Sequence, residues 1–241
     1  MKIRIFVLAY DEETMRCARQ WTAGRPWATV IHNETTVYLE NIMYSSWLHE
    51  HLDEWSDCDY VGTLSWKAPE KIPVPDMDAL ATHLAVRKPS VVPFFPWHES
   101  IVYQGEQHHP LFVQLWSDFT RELGIPREQA TDPSIPLFFC NYWMATPEWM
   151  LRYMEFFKRA RHVLDTSEVI QEELWSDSGF KKVISDEKCI EIFGKPYYPY
   201  HCFLCERLPC LFFSLEGAVV WHPFIKFTGY PVVRTKVPER R

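Results

Sequence analysis

Four points in the chain set polar groups against apolar runs of strand length. Tyr10 and Asp11 follow residues 2–9 (KIRIFVLA), and Asn33 follows residues 28–32 (ATVIH). Ser65 closes residues 59–66 (DYVGTLSW), with Lys67 next, and Asn141 lies inside residues 135–144 (IPLFFCNYWM). Open sheets bind ligands beyond the carboxyl ends of their strands. Tyr10, Asn33, Ser65 and Asn141 are therefore candidate nucleotide-binding side chains. Lys67 is the candidate cation for a ligand's diphosphate.

A metal held by paired carboxylates would serve the same diphosphate. Two Asp-x-Asp triplets occur. Asp57 and Asp59 precede a strand, at the wrong end of the sheet. Asp76 and Asp78 follow a proline-rich connector and are the better pair for Mn²⁺ or Mg²⁺, although Asp76 also reads as a helix cap. A base for an incoming hydroxyl is sought among His98, Glu99, His108 and His109, on the loop after the fourth strand. Cys202, Cys205 and Cys210 raise the question of zinc, but the stretch is apolar and lacks a second ligand pair.

These residues need elements to position them. Strand-like runs at 2–9, 28–32, 59–66, 90–96 and 135–144 alternate with helical stretches. The helices are expected from Asp11 to Trp21, from Thr35 or Thr36 to near Trp55, over 76–87, and from Pro110 to Leu123. Others are expected over 147–164, where Pro147 suits the first turn, and over 167–175 and 202–215. Alternation of this kind predicts a mostly parallel central sheet flanked by helices, an α/β, Rossmann-like fold. One domain over residues 1–241 fits the length, with 216–241 as a C-terminal arm of extended character.

Composition excludes several classes. The chain carries a net charge of −7 and no Lys/Arg run, so no nucleic-acid partner is expected. With 8 Gly there is neither a G-x-G-x-x-G nor a P-loop motif. No run approaches the ~20 apolar residues of a transmembrane span. Seven irregularly spaced Cys fit a reducing compartment, hence a cytoplasmic chain. Aromatics make up 16% of residues, which suits either a large core or the stacking of sugars and bases.

Three ordered stretches resemble the capsular-polysaccharide-synthesis family of glycosyltransferases. They are NIMYSSWLHEHLDEWSDCDYVGTLSW (41–66), FFCNYWMATPEWMLRYMEFF (138–157) and YHCFLCERLPCLFF (200–213). The resemblance implies a GT-A-like fold, a nucleotide-sugar donor (a UDP-sugar foremost) and a glycan or glycoconjugate acceptor. It adds Glu206 and Arg207 to Glu99 as catalytic candidates. The chain departs from the family where a His-Tyr-Arg-Arg-type run gives way to Thr63-Leu64-Ser65-Trp66-Lys67. The expected activity is transfer of a hexosyl or deoxyhexosyl group. The rivals are a non-catalytic glycan- or nucleotide-binding module on the same fold, and a nucleotidyltransferase.

Overall fold

The computed structural model describes residues 1–97, 99–180 and 184–223. The first part of the chain forms β1 (Ile3–Ala9), α1 (Glu12–Thr22), β2 (Ala28–His32), a 3-10 stretch (Leu39–Ser45), α2 (Trp47–Glu50) and β3 (Tyr60–Ser65). Next come α3 (Ala68–Lys71), α4 (Met77–Arg87), β4 (Val91–Pro93), β5 (Pro96–Trp97), α5 (Ile101–His108), α6 (Phe112–Glu122) and α7 (Arg127–Ala130). The last part holds β6 (Leu137–Phe138), β7 (Trp143–Ala145), α8 (Pro147–Thr166), α9 (Gln171–Leu174), α10 (Asp186–Phe193), α11 (His201–Cys205) and α12 (Leu208–Leu215).

Five strands form one sheet in the order β2-β1-β3-β7-β4. β1 pairs in parallel with β2 and β3. β7 runs antiparallel to both β3 and β4. The expected mixed α/β architecture with a mostly parallel central sheet is what the chain adopts.

β1 is central and covered on both faces, so its residues are apolar without alternation. Phe6 and Leu8 enter one core with α6, α8 and α12. Ile5, Val7 and Ala9 enter the other, with Ala18 of α1 and Leu80 and Leu84 of α4. Most of the aromatic content is structural. Trp55, Trp116 and Trp143 are fully buried, and Tyr44 contacts Trp143, Tyr153 and Phe157.

The expected strand 135–144 is two strands. Cys140 and Asn141 both take left-handed backbone angles, with φ of 61° and 55°. Asn tolerates that region, and Cys does so at some cost. The chain turns there, so β6 pairs with β5 while β7 returns to the central sheet. Residues 35–55 form short 3-10 and α segments rather than one helix. α9 is shorter than expected, and 202–215 is two helices meeting at Glu206–Arg207. α5 and α10 were not foreseen. Of the expected C-terminal arm, residues 224–241 lie outside the described residues. Among the described residues no helix is long and apolar enough to cross a membrane.

Buried histidines give the fold a pH dependence. Burial pushes His109, His201 and His222 each down to about 4. His109 packs on Phe203, with Nδ1–H donating to Ser178 O at 2.9 Å. Between about pH 6.5 and 4 the unfolded chain binds more protons, so stability falls on acidification. The slope is at most about 1.4 kcal/mol per pH unit per histidine. Glu206, whose carboxyl burial pushes up, works in the opposite sense just above the ordinary glutamate value. Three histidines outweigh one carboxyl. Urea midpoints should therefore fall from pH 7 to 5, and the slope should flatten in His109→Phe. A flat profile in the parent protein would contradict these assignments.

Candidate functional site

The carboxyl edge of the sheet gathers the titratable groups. β1 ends at Ala9, and the next turn is fixed by a capping box. Asp11 accepts from Thr14 N at 2.8 Å, and Thr14 Oγ1 accepts from the backbone N–H groups of Tyr10 and Asp11. This sets Tyr10 at the edge; burial first, then the Glu40 carboxylate, raises its phenol well above its ordinary value. Asn33 is 4% exposed, and its Nδ2 donates to Glu34 O at 3.0 Å and Leu39 O at 3.1 Å. Its donors are thus spent on closing the 33–39 loop, at whose end Leu39 has φ 48°.

β3 ends in Ser65, whose hydroxyl bonds the Tyr142 hydroxyl. One short helix later, at the end of α3, stands Lys71. Its Nζ donates to Cys140 Sγ at 3.3 Å and lies 5.6 Å from the Tyr142 ring centre. Burial pulls the ammonium down, but Cys140, Glu206 and Glu40 together raise it. Burial, then Glu206, pushes the Cys140 thiol up to about 12. Lys71 is accordingly charged beside a neutral thiol, with two carboxylates in its field.

Glu206 ends the turn after α11. Burial raises its carboxyl, while Arg207 and Lys71 pull it down and Glu40 pushes it up. Among the described residues its carboxylate accepts no hydrogen bond. Glu206 is half-buried, and burial gives its carboxylate a proton affinity above that of a fully solvated glutamate. Arg207 is 1% exposed. Its Nη1 donates to Phe203 O at 2.5 Å, its Nη2 donates to Gln104 Oε1, and the guanidinium lies 4.7 Å from the Phe112 ring centre. It sits behind Glu206 as a fixed charge, sealed from solvent.

Asn141 is the anomaly of this edge. It is 2% exposed, yet neither Nδ2 nor Oδ1 has a partner, and its backbone is left-handed. Each unsatisfied buried polar group costs about 1–3 kcal/mol. Its carbonyl is held by Thr63 Oγ1 from β3.

Other expected residues are elsewhere or otherwise engaged. Lys67 caps α3 and places Nζ 4.8 Å from the Trp66 ring centre. Asp76 spends its carboxylate on the N-terminus of α4, accepting from Asp78 N at 3.1 Å and Ala79 N at 3.0 Å. Asp78 is exposed in the same turn. Among the described residues no three His, Cys, Asp or Glu stand together as metal ligands, and Cys202, Cys205 and Cys210 are free and buried. Glu99 Oε2 accepts from Trp97 Nε1 at 3.0 Å. His98 lies outside the described residues.

Sequence reasoning missed Glu40 and Lys71. The signal for Lys71 was weak: a lysine six residues past the strand end, carried onto Cys140 by one turn of helix. A separate cavity of about 450 Å³ lies between the 3-10 stretch and α8, lined by His49, Lys158, Arg161 and Asp165 among others. It shares no residue with the edge cluster.

Comparison with family models, with curated proteins and with solved structures yields no match.

Proposed function

We propose that this chain is a glycosyltransferase of GT-A-like architecture that moves a sugar from a nucleotide-diphosphate donor to a glycan or glycoconjugate hydroxyl. The observation that carries the reading is Lys71, whose ammonium meets Cys140 Sγ at the carboxyl edge of β3 and is kept charged by the fields of Glu206 and Glu40. The three-part resemblance supports it, because two of its segments supply Asn141 and Glu206.

In this reading Lys71 neutralises the departing diphosphate as the sugar C1–O bond breaks. Glu206 accepts the proton of the acceptor hydroxyl as the new C1–O bond forms, so C1 inverts. Asn141 supplies a preformed amide to the donor. Tyr10 and Glu40 form one wall. Arg207 positions Glu206 and tunes it.

The test is hydrolysis and transfer across UDP-, GDP- and TDP-sugars, with Mn²⁺ and in chelator. We expect turnover with one of these nucleotides that persists in chelator. Glu206→Gln should lower kcat by ~10²–10⁴-fold. The rate should rise with pH through a limb lying above the ordinary glutamate range, because the base must be deprotonated. The Gln variant should lose that limb. Absence of turnover and of nucleotide binding with every donor would sink the reading. Nucleotide-sugar binding that is indifferent to Glu206→Gln would instead favour a non-catalytic module. A strict Mn²⁺ requirement would overturn the role of Lys71 and leave the donor class standing.

A further inference from the structure

Trp97 is 40% exposed in a protein whose other described aromatics are mostly buried. It lies on β5, and its indole is not loose. Nε1 donates to Glu99 Oε2 at 3.0 Å, and the ring meets Phe139 edge-on at 5.7 Å and Phe95 at 6.1 Å. Phe95 in turn lies 6.5 Å from Tyr142, whose ring faces Lys71 at 5.6 Å. These rings form a packed chain rather than an open channel, with Phe139 9% and Tyr142 1% exposed. At its outer end stand an indole and a carboxylate fixed to one another.

That pairing selects a ligand class. An indole stacks well on the C–H face of a pyranose ring, and its polar edge stays wet. A carboxylate accepts only, so it favours ligands presenting hydroxyl donors and repels anions. A phosphate-rich ligand or an anionic headgroup would meet the wrong charge. A bare acyl chain would leave Glu99 desolvated for nothing.

We propose that Trp97 and Glu99 form an acceptor subsite for a neutral pyranose ring. The proposal rests on the glycosyltransferase reading, but binding at Trp97 is measurable without turnover. Glu99 is thereby given to acceptor binding rather than to proton transfer.

The experiment is saturation-transfer NMR with maltotriose, cellotriose and mannotriose at millimolar concentration. The proteins are wild type, Trp97→Ala, Trp97→Phe and Glu99→Gln. At least one trisaccharide should bind wild type. Trp97→Ala should weaken it by about 10-fold, as expected for loss of ~1.4 kcal/mol of stacking. Trp97→Phe should retain most of the affinity, and Glu99→Gln should lose a few-fold. No binding by any trisaccharide, or binding indifferent to Trp97→Ala, would overturn the proposal. So would Trp97-dependent binding to phosphatidylcholine vesicles without trisaccharide binding. If trisaccharides bind through Trp97 but no donor is turned over, the subsite stands and the transferase reading falls.

Discussion

Lys71→Met is expected to lower kcat/KM for the nucleotide-sugar donor by ~10²–10³-fold, the usual consequence of removing one preorganised electrostatic partner of a transition state. Methionine keeps the length and apolar stem and deletes only the ammonium. Lys71→Arg should recover part of the rate, because the charge returns with a different geometry. Lys67→Met, four residues earlier, should change the rate by no more than about twofold, since its ammonium rests on the Trp66 ring rather than on Cys140. The contrast separates a leaving-group cation from a general loss of positive charge at this edge. Equal effects at positions 67 and 71, or no effect at 71, would remove Lys71 from the mechanism. Thermal melts should stay close to wild type in all three variants, because Lys71 forms no salt bridge within 4 Å among the described residues.

The difference between these lysines shows what the sequence could disclose about the site. The strand ends were legible, because apolar runs of strand length announce them. Tyr10, Ser65 and Asn141 do lie at that edge. What strand ends do not disclose is which neighbouring side chain reaches the cluster. Lys67 is closer in sequence to Ser65, but one turn of α3 carries Lys71 over Tyr142 and onto Cys140. Glu40 was invisible for another reason. It sits in a 3-10 stretch that reads as ordinary amphipathic helix, and only the return of Tyr10 beside it makes it a partner. Asp76 shows the converse. Its type and spacing suit a metal, and the backbone N–H groups of α4 claim it first.

The fold was legible where one local rule dominated. The apolar run of β1, the capping Asp11 and Pro147 at the start of α8 each act within one element. Residues 135–144 misled because a ten-residue run broken only by the polar Asn141 fits a strand equally well with or without a break. The break is fixed by tertiary demands: β6 must reach β5, and β7 must fill the slot between β3 and β4. Glu206–Arg207 likewise interrupts an apolar stretch, and the local reason is Pro209, which suits the first turn of α12 but cannot continue α11. The stop presents a carboxylate at the site and buries a guanidinium on Phe203 O, Gln104 and Phe112.

The slot that receives β7 makes Gly62→Ala the substitution with the largest expected effect on folding. Gly62 lies opposite Met144 of β7 and Ile5 of β1. A Cβ there would stand 2.4 Å from both Met144 Cβ and Trp143 O, and 2.7 Å from Met144 Cα. Backbone and Cβ atoms cannot rotate away as a side-chain tip can. β1 holds β3 on one side, and β4 pins β7 on the other. Overpacking of this kind is expected to cost about 3 kcal/mol or more, lowering Tm by roughly 6–12 °C in a chain of this size. Gly124→Ala is the control: it has φ +77° and nothing within 4 Å of its would-be Cβ. It should cost only the ~1–2 kcal/mol of left-handed strain. The Gly62 effect should reach the site as well, because β3 carries Ser65 and, through α3, Lys71. Soluble Gly62→Ala protein should therefore lose donor turnover together with stability, while Gly124→Ala keeps its rate. A Gly62→Ala melt no lower than that of Gly124→Ala would mean that β7 does not lie against β3 in this register, and the placement of Asn141 at the site edge would go with it.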